Sequence, residues 1–257
     1  MMPSYFIAHG APSIVIENNS YTAFLQQLAG SIPKPKAIVL FSAHWEQPVQ
    51  TVSAVQGTYE TIYDFGGFQD ELYRMTYPAP GNEVLAEHIQ KLFAEHGIRS
   101  SLDAERGLDH GAWAILKLIY PEADIPVVAL SVNRYLTDEQ QYKIGQALAS
   151  LKEQDVLIIG SGGTVHNLRR VNWRADGVDE WAAEFDNWLQ NKLETWDVEA
   201  LVNYREQAPN AAEAVPTSEH FIPLLLAMGT GDKNRKAELL HRSYQYGSLS
   251  LSCWKFA

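Results

Sequence analysis

Continuous apolar runs alternate with amphipathic stretches from one end of the chain to the other. Tyr5–Ala8, Ala37–Ser42, Val127–Val132 and Val156–Gly160 are short unbroken apolar runs, the pattern of strands covered on both faces. Between them the apolar positions fall three and four apart. This spacing predicts helices over Tyr21–Ala29 with Ser20 as N-cap, Glu83–Glu95, Ala112–Ile119, Asp138–Leu151, Trp181–Leu193 and Ser218–Met228. Two further strands are expected around Ala237–Arg242 and Ser248–Phe256, and the Gly- and Pro-punctuated stretch Thr58–Gly81 reads as irregular and surface-lying.

Strands alternating with helices imply an α/β fold, a three-layer α/β/α arrangement around a mostly parallel, mixed sheet. With no internal repeat or linker composition, the 257 residues are expected to form one catalytic domain. In such sheets ligands bind beyond the carboxyl ends of the strands. His9 ends the first strand, His44 follows the second, and His166 follows the turn Gly160-Ser161-Gly162-Gly163. That turn lacks the Gly-Lys-Ser/Thr ending of a phosphate loop, so close approach of the backbone to a ligand is the better reading.

Composition narrows the chemistry. A net charge of −11, from 31 acidic and 20 basic residues, disfavours nucleic-acid and anionic-membrane partners, which reward clustered Lys and Arg. No apolar run approaches the roughly 20 residues of a membrane span. Met1–Tyr5 lacks the basic and apolar segments of a secretory leader, so a cytoplasmic location is expected. Cys253 is the only cysteine, which rules out an internal disulfide and thiolate clusters. Any metal must be held by imidazole and carboxylate.

Eight histidines are available. His88 and His96 sit on or beside the polar face of a helix, and His241 falls in a C-terminal strand. His9, His44, His110, His166 and His220 lie beside small residues, turns or helix starts. His110 follows Asp109, a candidate helix cap. Thr217 or Ser218 would cap the helix that carries Glu219 and His220. Adjacent helical residues diverge by about 100°, so only one of these two would face a metal. Glu219 would complete a two-His-one-carboxylate set suited to iron, and His220 an all-His set suited to zinc or iron. Spacing leaves the choice open.

As an ordered set, the motifs resemble a known family. His9-Gly10-Ala11-Pro12, Ser42-Ala43-His44-Trp45, Tyr63-Asp64-Phe65, Tyr77-Pro78-Ala79-Pro80-Gly81, Leu108–Trp113, Gly160-Ser161-Gly162, His166-Asn167-Leu168 and Glu219-His220-Phe221 resemble the class III extradiol ring-cleavage dioxygenases. Within the LigB-type superfamily they are most similar to the 4,5-DOPA extradiol branch. The resemblance implies that His9, His44 and His220 hold one divalent metal, Fe(II) for ring cleavage or Zn(II) as bound. It implies acid–base roles for His110 and His166, with His166 also a possible fourth ligand. It further implies a catechol substrate opened by O2 to a semialdehyde. In one loop the chain departs from the branch. Where its members read Tyr-Asp-Phe-Tyr-Gly-Phe-Pro, this chain has Tyr63-Asp64-Phe65-Gly66-Gly67-Phe68-Gln69. Two other readings fit the same histidines: a zinc hydrolase using metal-bound water, and a non-enzymatic metal-binding protein.

Overall fold

Side chains along the central strands alternate between two separate cores. In the computed structural model, which describes residues 1–257, β1 (Ser4–Ala8), β2 (Ala37–Glu46), β5 (Val127–Val132) and β6 (Val156–Gly162) are the parallel centre of the sheet. Short strands β3 (Gln50–Ser53) and β4 (Ser100–Asp103) extend one edge, and β7 (Ala237–Gln245) and β8 (Leu249–Phe256) extend the other. The order across the eight strands is β4-β3-β5-β2-β6-β1-β8-β7. Antiparallel pairs join β1 to β8, β7 to β8 and β3 to β5. The expected α/β fold with a mixed, mostly parallel sheet is what the chain adopts.

Ile38, Leu40, Val127, Ala129, Leu157 and Ile159 join one core, while Val39, Phe41, Val128, Leu130 and Ile158 join the other. Period-two alternation with both faces apolar is the reason these strands read as unbroken runs. Nine helices surround the sheet: α1 (Ser20–Leu28), α2 (Glu83–Glu95), α3 (His110–Ile119), α4 (Asp138–Ala147), α5 (Glu180–Glu194), α6 (Val198–Val202), α7 (Tyr204–Gln207), α8 (Ala211–Ala214) and α9 (Ile222–Gly229). Leu85, Ile89 and Phe93 of α2 and Ile144 of α4 fill one core, whereas Tyr21 and Leu25 of α1 and Trp113 and Leu116 of α3 fill the other.

Several local expectations change. Asn19, not Ser20, caps α1, and Thr22 returns a hydrogen bond to the cap. The fourth helix ends at Ala147 and tightens into a 3-10 stretch, Ala149–Gln154. Strand β2 runs on to Glu46, so His44 lies inside it, where the pairing with β5 breaks register between Phe41 and Glu46. The Thr58–Gly81 stretch is irregular and largely at the surface as expected, but a few of its side chains anchor it in the core. Tyr59, Leu72, Tyr77 and Ala79 are buried in it. The last helix starts at Ile222, without a side-chain cap, and leaves Glu219 and His220 in the turn before it.

The glycines at the end of β6 have a different purpose from the one expected. A Cβ on Gly160 would collide with the carbonyl of Pro223, and one on Gly162 with the carbonyl of His220. The backbone that approaches here is the chain's own. Segment 220–223 lies directly on the strand, and Gly163 N–H donates to His220 O at 2.8 Å. Gly160→Ala is therefore expected to destabilise the protein by about 3 kcal/mol or more. Gly30→Ala, where an added methyl meets nothing within 4 Å, is expected to be near neutral. Urea denaturation of both variants checks the contrast.

Candidate metal centre

Strand order converts distant sequence positions into one rim. Strands β1, β2 and β6 run parallel side by side, so their carboxyl ends share an edge of the sheet. His9 stands one residue past β1, on a turn that Gly10 completes with φ +63°. His44 stands near the end of β2. Gly111 in the first turn of α3 lies so close to Ser42 and His44 that a Cβ there would meet Ser42 Oγ at 2.8 Å and the His44 ring at 3.0 Å. That contact presses His110 against the same rim. His220 is delivered by the segment resting on β6.

All five singled-out histidines meet there. Ring centroids lie 4.8 Å apart for His9 and His44, 5.2 Å for His9 and His220, 4.9 Å for His44 and His220, and 4.0 Å for His44 and His110. The His166 ring stacks on that of His220 at 3.5 Å. By ligand-atom proximity two triads form: His9, His44 and His110, and His166, Glu219 and His220. His88, His96 and His241 lie elsewhere, His241 packing against Tyr21 and Phe24.

Hydrogen bonds assign the imidazole nitrogens. Ser161 donates its hydroxyl proton to Gly111 O, so its Oγ must accept from His9 Nδ1–H, at 2.9 Å. His110 Nδ1–H donates to Asp64 Oδ2 at 2.9 Å, and His44 Nδ1 lies 3.5 Å from the same oxygen. His220 Nδ1 donates to Glu219 Oε1 at 3.1 Å. His9, His110 and His220 are thereby tied at Nδ1 and present Nε2 inward, while His44 turns Nδ1 toward the Asp64 carboxylate, the arrangement seen where carboxylates orient metal-binding imidazoles.

Two observations test whether a cation fits. The Nε2 atoms of His9 and His44 face each other at 3.0 Å. A proton on His44 Nε2 bridges the pair in the metal-free protein, and with the protons on Nδ1 a shared cation takes its place. His220 Nε2 is buried with no hydrogen-bond partner, an orphaned lone pair that a metal satisfies. Neutral imidazoles and carboxylates also match the donors of zinc and non-heme iron. The residues fit a divalent metal.

Burial and mutual repulsion keep the His9, His44 and His166 rings neutral. Burial first, then the neighbouring histidines, drives His9 well below its ordinary range, brings His44 to about 2 and, chiefly through His220, His166 to about 3. For Asp64 and Glu219 burial pushes upward, but hydrogen bonds from His110, and from His220 and Thr217, outweigh it and hold both at about 2.

Two residues important here had no assigned part in the sequence reading. Asp64 ties His44 to His110 and also accepts the His110 backbone N–H at 3.0 Å. It thus does the capping work expected of Asp109. The Asp109 carboxylate instead accepts from Ser42 at 2.6 Å and Arg106 at 3.0 Å. Ser161, the lock on His9, is the second. Asp64 lay within the quoted Tyr-Asp-Phe motif, which was its only signal.

The rim opens into a cavity of about 660 Å³, within the range of small-molecule sites. Phe65, Phe68, Val165 and Leu249 supply apolar wall, and Arg169, Trp173 and Tyr246 also line it.

Residues 5–256 match the family model described as the catalytic LigB subunit of aromatic ring-opening dioxygenase. The chain is 46% identical to 4,5-DOPA dioxygenase extradiol of Beta vulgaris, over 98% of this chain and 96% of that protein. It is 39% identical to the Escherichia coli (strain K12) protein of the same name, over 97% and 93%. A crystal structure of an uncharacterized E. coli K12 protein superposes with a TM-score of 0.87 at 35% identity, covering 100% of both chains.

The neutral histidine cluster has a consequence for acid stability. An unfolded histidine titrates near 6.5, whereas His44 and His166 stay neutral in the fold down to about 2 and 3. As pH falls from about 7 toward 3, the unfolded chain takes up protons that the folded chain refuses. Stability of the metal-free protein is expected to fall by about 1.4 kcal/mol per pH unit for each such ring. Loss of the Asp64 and Glu219 contributions below about pH 4 acts in the same direction. Urea midpoints across this range should show the slope, and His166→Gln should make it shallower.

Proposed function

The chain belongs to the LigB family of aromatic ring-opening dioxygenases, and from that premise we propose that it is a single-domain extradiol enzyme that opens a catechol with O2 to a semialdehyde. The observation that carries the proposal is the convergence of Nδ1-anchored imidazoles on a buried Nε2 cluster beneath an aromatic-walled cavity. His9, His44 and His220 would hold the metal, with His166 close enough to His220 to join or leave the set. Iron(II), when bound there, supplies the electron exchange between catechol and O2 that redox-inert zinc does not.

The remaining residues manage position and protons. Phe65 and Phe68 flank the space above the histidines and exclude water from an aromatic ring seated there. His166, neutral at physiological pH, accepts a proton from a catechol hydroxyl as the diol binds. His110 has Nδ1–H fixed on Asp64, which leaves Nε2 as its exchangeable nitrogen. Asp64 steadies the imidazolium when that nitrogen is protonated, as the carboxylate of a catalytic triad does. His110 can then return a proton to the oxygen that departs when the O–O bond breaks.

Anaerobic loading with iron(II), followed by O2 and a panel of DOPA, caffeate and protocatechuate, is expected to give stoichiometric O2 uptake and a yellow semialdehyde. The zinc-loaded protein should consume none. Absence of O2 uptake by the iron form across the panel would sink the proposal and favour a hydrolytic zinc enzyme. Metal content discriminates the ligands. His220→Ala should empty the site, whereas Glu219→Gln should retain metal because its amide oxygen still accepts from His220 Nδ1. Retention by the first and loss by the second would make Glu219 the ligand.

A further inference from the structure

The cavity wall contains one arginine whose charge nothing in the chain answers. Arg169 lines the cavity, lies exposed on the 3-10 turn Leu168–Arg170, and its guanidinium takes part in no ion pair or hydrogen bond of the structure. Its neighbour Arg170 is committed, paired with Glu213 at 2.8 Å and lying over Trp181. The one carboxylate in the same wall, Glu219, accepts from His220 and Thr217 through Oε1, its Oε2 is buried without a partner, and it makes no ion pair with Arg169. An unanswered cation on a cavity wall stands out in a chain of net charge −11, where acidic partners are plentiful.

The root of Arg169 is fixed. Asn167 Oδ1 accepts its backbone N–H at 3.1 Å, and Asn167 Nδ2 donates to Glu213 O at 2.8 Å. We infer that Arg169 is a specificity-determining residue that receives a carboxylate borne on the side chain of the aromatic substrate. The inference rests on the ring-opening reading for the ring itself and on Arg169 for the acid. Arg169 follows His166 by three residues, so their Cα atoms are at most about 11 Å apart. In a catechol with a two- or three-carbon acid side chain, bonds of about 1.5 Å place the carboxylate roughly 8 Å from the diol. A diol at the histidines therefore puts its carboxylate within reach of the guanidinium. The ring between them lies along the apolar wall of Phe65, Phe68, Val165 and Leu249. Guanidinium and carboxylate pair through two parallel hydrogen bonds, and because Arg169 is exposed, solvent limits the gain to about three- to fivefold in affinity.

Calorimetric titration of the zinc-loaded protein with 3-(3,4-dihydroxyphenyl)propionate and with 4-methylcatechol tests this without turnover. Arg169→Gln is expected to weaken the acid about three- to fivefold and to leave 4-methylcatechol within about 1.5-fold. Arg169→Lys should keep part of the preference, and added salt should narrow it in the wild type. Equal weakening of both ligands, or of neither, overturns the assignment even if the iron form opens catechol rings. Selective loss of the acid in a protein whose iron form consumes no O2 supports Arg169 and removes the ring-opening reading instead.

Discussion

The site depends on one backbone contact: segment 220–223 lying flat on the carboxyl end of β6. Only hydrogen atoms at Gly160 and Gly162 leave room for the carbonyls of Pro223 and His220. The contact is sealed by the hydrogen bond from Gly163 N–H to His220 O. It carries His220 from the last third of the chain to histidines held by β1 and β2. The same close approach seats α9, whose residues Leu224 and Leu225 face one core and Ile222 and Leu226 the other. Fold and chemistry thus share a single steric requirement. It also explains why the glycine-rich turn carries no ligand-binding fingerprint: its small residues are consumed by the protein's own backbone.

Much of this architecture was readable because burial on both faces leaves an unbroken apolar run. β1, β2, β5 and β6 have that signature, and they are the strands that position the histidines. Edge strands β3 and β4 do not. Gln50-Thr51-Val52-Ser53 and Ser100-Ser101-Leu102-Asp103 are mostly polar, and Gln50 and Thr51 are buried by pairing with Ser131 rather than by hydrophobicity. The last helix was placed too early because Thr217 and Ser218 look like caps. In the fold Thr217 donates to the Glu219 carboxylate instead. Asn19 and Ser20 are both good capping residues, and the sequence held no physical basis for choosing between them.

The histidines were legible as candidates through their settings at strand ends and turns, but their partners were not. Asp64 lies in an irregular stretch with no periodicity, 46 positions from His110, and only the tertiary fold brings the two together. Asp109 stands where a helix cap belongs, yet its carboxylate is drawn to Ser42 and Arg106. Arg106 also reaches His44 O at 3.3 Å and lies over Trp45. Asp109 therefore steadies the strand that presents His44. Gly66, one of the two positions with Gln69 where the chain departs from its resembled branch, has open space around the position of an added side chain.

Charge balance explains why two carboxylates accompany so many imidazoles. A divalent ion held by neutral rings brings two positive charges into a buried place, and burying unpaired charge is costly. Asp64 and Glu219 are ionised throughout the physiological range and supply two negative charges beside the rings. Their hydrogen bonds to Nδ1 also make Nε2 a better donor. Because both carboxylates are committed to this balance, neither is free to shuttle protons. In the proposed reading that work falls to His110 and His166, the two rings outside the proposed ligand set of His9, His44 and His220. His166 stacks over a ligand ring and stays neutral until acid pH. His110 is held by Asp64 through both its Nδ1–H and its backbone N–H.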